Sequence, residues 1–245
     1  QLREVLKVVK ETVVPLTLLG NGSNVLVRDK GIRGIVIKLG NMLRHFYEAE
    51  DLLVFGSGYS LALASYKAME CGKTGMEFAV GIPGSIGGAV YMNAGAYDGE
   101  MQNIVNCVKV MDLQGNERVL TAEELNFGYR KTSLQNSGLI VTEVTLKMPS
   151  GNKDEIKSKM DDFSHRRISK QPLEMPSAGS MFKRPPGYFA GTLIDQAGLK
   201  GYTVGGAQIS TKHAGFVVNV GGATAADVLQ LIKDVQTKIK AGVGV

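Results

Sequence analysis

Gly81 to Tyr97, GIPGSIGGAVYMNAGAY, constrains the fold more than any other stretch of this chain. Gly81, Gly84, Gly87, Gly88 and Gly95 are interleaved with Ala89, Ala94 and Ala96, and only Tyr91 and Tyr97 are large aromatics. Glycine inside regular structure costs roughly 0.5–1 kcal/mol relative to alanine, and is worth that cost where a backbone or a ligand must come close. The stretch carries no charge, so a molecule lying against it is held by main-chain N–H groups, by Ser85 and Asn93, and by flat apolar contact. An extended cofactor meets that description. The purely structural alternative is a run of turns, punctuated by Pro83 and the glycines, that feeds a buried strand or helix. A second glycine-rich element, Leu19-Gly20-Asn21-Gly22-Ser23-Asn24, directly follows an apolar run and argues for the ligand, because two such loops suit two ends of one molecule.

The totals exclude several classes. At 245 residues, with 44% hydrophobic and 21% charged side chains, the chain is an ordinary globular protein of one large domain or two to three small ones. The net charge of +5 is spread over single or paired lysines and arginines, without the interleaved basic and aromatic face that nucleic acid requires. Cys71 and Cys107 stand far apart without C-x-x-C spacing, which predicts a reducing compartment and no metal. No apolar run reaches the ~18 residues of a spanning helix and no signal peptide opens the chain, so a soluble cytoplasmic protein without membrane partners is expected. The sequence begins without Met and inside a helical pattern, which predicts that chain precedes Gln1.

Leu2, Val5, Leu6 and Val9 give one face of a helix. Val13 to Leu19, Val25 to Val27, Gly34 to Leu39 and Leu52 to Phe55 read as strands, the first starting near Pro15 or lying at an edge. Ser60 caps a helix from Leu61 to Cys71 that stops at Gly72. Ile104–Leu113 and Glu117–Leu120 form a hairpin around Gln114-Gly115-Asn116, Thr121 and Glu124 make a capping box, and Val144 to Met148 alternates as a half-buried strand. Pro149-Ser150-Gly151-Asn152 reads as a domain border. Beyond it, Ile156, Met160 and Phe163 share one helix face that ends near His165-Arg166-Arg167, and Thr224 caps a final helix burying Val228, Leu231, Ile232, Val235 and Ile239.

Three short matches carry no chemistry. Gly20-Asn21-Gly22 lacks the third glycine of a dinucleotide fingerprint, since Val25 stands there. Gly72-Lys73-Thr74 resembles the end of a phosphate-binding loop, but Lys67 occupies the position of its first glycine. Asn21-Gly22-Ser23 is a glycosylation acceptor only in a secreted protein. What remains is a nest of N–H groups suited to a pyrophosphate.

In order and spacing, Gly20 to Asn24, Gly81 to Tyr97, Tyr129-Arg130 and Ala178-Gly179-Ser180-Met181-Phe182-Lys183-Arg184-Pro185 resemble the UDP-N-acetylenolpyruvoylglucosamine reductases, through essentially the whole chain. The short link from Tyr188-Phe189-Ala190-Gly191 to Gly201 is similar to the class without an extra tyrosine loop. The resemblance implies an α+β fold, with a two-part FAD-binding region of the vanillyl-alcohol-oxidase type (1–40 and 41–150) and a third α+β substrate-binding domain (151–245). It also implies noncovalent FAD, NADPH as hydride donor, and a small-molecule substrate, UDP-N-acetyl-enolpyruvylglucosamine, reduced to UDP-N-acetylmuramate in peptidoglycan precursor synthesis. The alternatives are a flavin-dependent oxidase on the same fold, opposed by the lack of His or Cys in the glycine loops, and a non-catalytic nucleotide-binding module, opposed by Arg130 and Ser180 together.

By the same resemblance, Gly20, Asn21, Gly22, Ser23 and Asn24 hold the pyrophosphate. Pro83, Gly84, Ser85, Gly87, Gly88, Asn93, Gly95, Ala96 and Tyr97 line the rest of FAD. Arg130, otherwise read as a solvated arginine, binds the substrate carboxylate and stabilises the enolate; Ser180, otherwise a cap in a Gly-Ser turn, is the proton donor. Tyr129, Lys170, Arg184, Lys212 and His213 meet the substrate, with a strand-start cap as the plain reading of His213 and a purely structural one favoured for His165. The family's third catalytic group, a glutamate near its C-terminus, is expected beyond Val245, because Asp227 and Asp234 do not match its motif; further FAD contacts are expected upstream of Gln1.

Overall fold

A computed structural model describes residues 1–244, which form two compact units, Gln1–Ser23 with Arg33–Ser164 and Asn24–Ile32 with 165–244. In the first unit, helix α1 (Leu2–Thr12) buries Leu6, and the chain turns at the left-handed Val13. Strand β1 (Leu16–Leu19) starts after Pro15 and pairs in parallel with β2 (Ile35–Lys38). Proline has no N–H to give a ladder, so the expected strand loses its first residues.

A five-stranded sheet follows. Strands β3 (Phe46–Ala49) and β4 (Leu52–Gly56) form a hairpin, and helix α2 (Leu61–Glu70) is capped by Ser60. The short helix α3 (Ile86–Tyr91) lies inside the glycine-rich stretch and leads to a small hairpin of β5 (Gly95–Ala96) and β6 (Gly99–Glu100). Strands β7 (Val105–Met111), β8 (Glu117–Thr121) and β9 (Ile140–Lys147) complete the sheet in the order β3-β4-β9-β7-β8. The turn between β7 and β8 is built by Asp112, whose Oδ1 accepts from the N–H groups of Gln114 and Asn116. The core lies between this sheet and helices α2 and α3, with Phe55 fully buried between Phe46 and Tyr59. Truncating such a phenylalanine typically costs about 3–5 kcal/mol.

Helix α4 (Lys153–Lys170) runs through the boundary between the units at Ser164, because Ile156, Met160 and Phe163 bury against Val80 of the first unit. The turn at Pro149–Asn152 precedes this helix without separating it from the sheet unit.

In the second unit, β10 (Ser177–Ser180), helix α5 (Ala190–Gln196), β11 (Thr203–Val204), β12 (Ala207–Ile209), β13 (Phe216–Asn219) and helix α6 (Ala225–Val243) are arranged as an antiparallel sheet, β10-β13-β12-β11, with α6 packed over it. Thr224 and Asp227 close a capping box on α6. Residues 24–32 belong to this unit and form no strand; Val25, Leu26 and Val27 are exposed. That segment is pinned by Asp29, whose carboxylate accepts from the N–H groups of Ala225 at 2.6 Å and Ala226 at 3.1 Å. The N–H groups of a helix's first turn have no partner within the helix, so a carboxylate there supplies both hydrogen bonds and favourable charge.

Candidate active site

In the first unit the two glycine elements lie against each other. Ser23 Oγ donates to the Pro83 carbonyl at 3.0 Å, and a Cβ on Gly20 would collide with Ser85 Oγ. Ser85 is buried as the cap of α3, its Oγ accepting from the Gly88 N–H at 3.3 Å, so Gly20 is bare because the loop must come down onto that cap. Gly22 has φ 73 and nothing within 4 Å of the place a Cβ would take. The N–H groups of Gly22 and Ser23 donate to no protein acceptor among the described residues. The loop therefore combines unspent donors, the small polar side chains of Asn21, Ser23 and Asn24, and no carboxylate, which is the donor set a pyrophosphate needs.

The glycine-rich stretch divides its work. Gly87 packs on the main chain of Ser57, Gly88 faces solvent on α3, and Gly84 sits beside Ser23. The carboxamide of buried Asn93 donates to Glu100 at 3.1 Å, Gln102 at 3.4 Å and the Gly128 carbonyl at 3.1 Å, and its Oδ1 accepts from the Gln102 N–H at 3.0 Å. Its side chain thus ties the stretch to the loop before Arg130. Gly95 and Ala96 pair with Glu100 and Gly99, and Tyr97 stacks on Phe163 with ring centroids 4.4 Å apart.

Arg130 lies at the tip of a tight turn closed by paired hydrogen bonds between Gly128 and Lys131. Its φ is 55°, in the left-handed region that this place in a type II turn normally reserves for glycine or asparagine. For a bulky side chain that conformation costs roughly 1–2 kcal/mol, and such strain gathers at functional sites. The guanidinium donates to the Asn93 carbonyl at 3.2 Å and the Gly95 carbonyl at 3.0 Å, while Tyr129, exposed, places its ring centroid 5.5 Å from Cζ. The main-chain carbonyls leave other N–H groups of the fork for an anion.

In the second unit, Ser180 ends β10 opposite Phe216, exposed, with its Oγ in no hydrogen bond to protein among the described residues. Gly215 gauges what surrounds it: a Cβ there would stand 3.4 Å from Ser180 Oγ and 3.3 Å from His213 Nδ1. His213 Nδ1 accepts from the Gly215 N–H at 3.1 Å, which fixes the neutral ring with its proton on Nε2, and the ring packs edge-on against Phe216. Burial pushes the His213 pKa below the ordinary histidine value, and the charges of Lys200 and Lys170 push the same way, against its own backbone hydrogen bond. A depressed folded pKa contributes stability that is present above the unfolded value and lost as pH falls through the folded one. Unfolding midpoints of the wild type should therefore drop as pH falls below about 6.5, and His213→Asn should flatten that part of the curve; parallel curves would show that His213 does not titrate in this way.

Lys212 Nζ reaches the Ile168 carbonyl at 3.1 Å, at the end of α4, and Glu174 at 3.4 Å. Arg184 lays its guanidinium over the Phe189 ring at 4.4 Å, and Lys170 is exposed at the end of α4. Among the described residues no cluster of His, Cys, Asp or Glu could hold a metal ion, and no helix is long and apolar enough to cross a membrane.

Residues 1–121 match the model of an FAD binding domain, and residues 171–245 match the UDP-N-acetylenolpyruvoylglucosamine reductase C-terminal domain. The UDP-N-acetylenolpyruvoylglucosamine reductase of Clostridium perfringens strain SM101 is 52% identical over 240 residues, covering 98% of this chain and 79% of the relative. The chain belongs to the UDP-N-acetylenolpyruvoylglucosamine reductase family. The reductase of Clostridioides difficile is 49% identical over 245 residues, covering all of this chain and 81% of that one. The crystal structure of the reductase from Thermus caldophilus superposes with a TM-score of 0.84 at 43% identity, over 96% of this chain and 85% of that one. The α+β architecture with an FAD-binding part and a reductase C-terminal part is the family's. Within it, sequence reasoning missed Gln135, whose carboxamide touches the main chain of Arg130 and Tyr91; it sits in no recognisable motif, and the fold alone brings it there.

Proposed function

We infer that this chain carries out the reductase reaction of its family: UDP-N-acetyl-enolpyruvylglucosamine is reduced to UDP-N-acetylmuramate at the expense of NADPH, in peptidoglycan precursor synthesis. The observation that carries the reading is the family membership together with a half-buried, main-chain-anchored Arg130 in a strained turn. Residues 1–40 and 41–150 are assigned as the two cofactor-binding parts and 151–245 as the substrate-binding part; the separate β1–β2 sheet and the match of 1–121 to an FAD binding domain support the first two, and the match of 171–245 supports the third, although α4 as far as Ser164 groups with the sheet unit and 24–32 with the second unit. Gly20 to Asn24 take the pyrophosphate of FAD; Pro83, Gly84, Ser85, Gly87, Gly88, Gly95, Ala96 and Tyr97 shape the remaining wall, and Asn93 supports it.

The chemistry that FAD supplies when bound is hydride transfer, from NADPH to the terminal methylene carbon of the enolpyruvyl ether. Arg130 holds the substrate carboxylate with its planar fork and offsets the negative charge that builds on it. Ser180 Oγ gives a proton to the neighbouring carbon. Tyr129, Lys170, Arg184, Lys212 and His213 orient the nucleotide and sugar; Lys212 must then leave Glu174 or share its ammonium between carboxylate and phosphate. The unpaired cysteines and the reliance on NADPH support a cytoplasmic enzyme whose partners are small molecules rather than nucleic acid or membrane.

The purified protein is expected to be yellow, with bands near roughly 370 and 450 nm, and to release its flavin to the filtrate on denaturation. Colour that stays with the polypeptide would reinstate a covalent flavin and the oxidase alternative.

A further inference from the structure

The Arg130 side chain is held at its tip by main-chain carbonyls, and its backbone is held by a single side chain. Gln135 Nε2 lies 3.1 Å from the Arg130 carbonyl, 3.3 Å from the Tyr91 carbonyl at the end of α3, and 3.5 Å from Met92 Sδ. The neighbouring Thr132 Oγ1 donates to the same Tyr91 carbonyl at 2.9 Å, so the segment after Arg130 is clamped onto the end of α3. On the other side, Asn93 presents its carbonyl to the Arg130 guanidinium and its carboxamide to the Gly128 carbonyl, at the first residue of the turn. Without these ties an arginine at φ 55° would relax to the favoured side of φ and carry its guanidinium away.

We propose that Gln135 is a positioning residue for Arg130: its carboxamide holds the left-handed turn against α3, so that the guanidinium meets a carboxylate without first having to be ordered. This rests on the reading of Arg130 as the carboxylate-binding group. Gln135 touches no reacting atom, and its effect passes entirely through the turn. Preorganisation of this kind acts on whatever needs the fork and leaves the rest of the ligand unaffected.

The test uses Gln135→Met, which keeps the length and removes the donors, and compares two ligands on the oxidised flavoprotein without NADPH. Affinity for the enolpyruvyl-bearing substrate should fall about tenfold, while affinity for UDP-N-acetylglucosamine, which lacks the carboxylate, should change less than about twofold. Flavin reoxidation by substrate should slow by about 10–100-fold. In an Arg130→Lys background Gln135→Met should add almost nothing, as expected of residues acting as one unit. Equal weakening of both ligands by Gln135→Met, unchanged behaviour with both, or full additivity with Arg130→Lys would overturn the positioning role while leaving Arg130 in place. An Arg130→Lys variant that binds and reduces the substrate normally would instead remove the reading of Arg130 beneath it. Gln135→Glu guards against a variant that fails to fold: its deficit relative to wild type should shrink toward about pH 5 as the carboxyl regains a donor proton, and a deficit independent of pH counts against the proposal.

Discussion

Ser180→Ala is expected to slow reduction of the enolpyruvyl substrate by ~10²–10⁴-fold, the usual worth of a general acid, while reduction of the flavin by NADPH stays within about twofold of wild type. At the level of the barrier this is about 3–5 kcal/mol. Ser180 stands at the exposed end of β10 with no protein hydrogen bond to its Oγ among the described residues, so removing one oxygen leaves no buried group unsatisfied. The loss should appear in the proton-requiring half of the cycle and not in the melting temperature. Stopped-flow absorbance of the flavin follows the two halves separately. Equal slowing of both would indicate a structural defect, and unchanged reoxidation by substrate would take Ser180 out of the mechanism.

Gly22→Val should weaken flavin binding by more than ~100-fold, equivalent to roughly 3 kcal/mol, and yield a folded, colourless protein. Gly22 has φ 73, which a β-branched residue adopts only with strain, yet nothing stands within 4 Å of its missing Cβ. The cost to folding is therefore confined to the loop's own backbone, roughly 1–2 kcal/mol. The cost to the ligand is larger, since escape from that strain reorients the N–H groups of Gly22 and Ser23 that are left for it. Flavin content after gel filtration, read beside the far-UV circular dichroism, separates the two effects. Full flavin occupancy would make the loop structural only.

Where local chemistry decides the structure, the sequence is readable. The apolar stripe of α1, the Ser60 cap of α2, the Asp112–Asn116 turn and the Thr224 cap of α6 all follow from residues within one or two turns of one another. Where the deciding partner is distant, the reading fails. Val25 to Val27 have the composition of a strand, but Asp29 is anchored to residues almost two hundred positions later, and the segment pairs as no strand. The glycine-rich stretch reads as a loop, although it contains a helix, because Ser85 caps it and Ile86 and Val90 bury fully against the sheet.

The candidate site divides along the same line. Residue types and spacing single out the two glycine loops, and the family pattern singles out Arg130 and Ser180. Neither predicts that Arg130 occupies a turn position suited to glycine, or that Gln135 reaches back to it, because both depend on where α3 ends relative to the turn. Asn93 illustrates the difference: its place in the motif suggests a ligand contact, while its buried carboxamide is spent on Glu100, Gln102 and Gly128.

The anchoring of Asp29 on α6 also bears on how the chain is made. The second unit is assembled from two stretches separated by residues 33–164, most of the first, so a ribosome delivers residues 24–32 long before the helix they cap exists. Residues 24–32 stay without their partner until Ala225 and Ala226 emerge. Long-range closure of this sort slows folding, because the loop's anchoring contact cannot form until most of the chain exists. A fragment cut at residue 165 would carry the sheet and α6 but not the carboxylate at its start, so the second unit is separable in space without being separable in sequence.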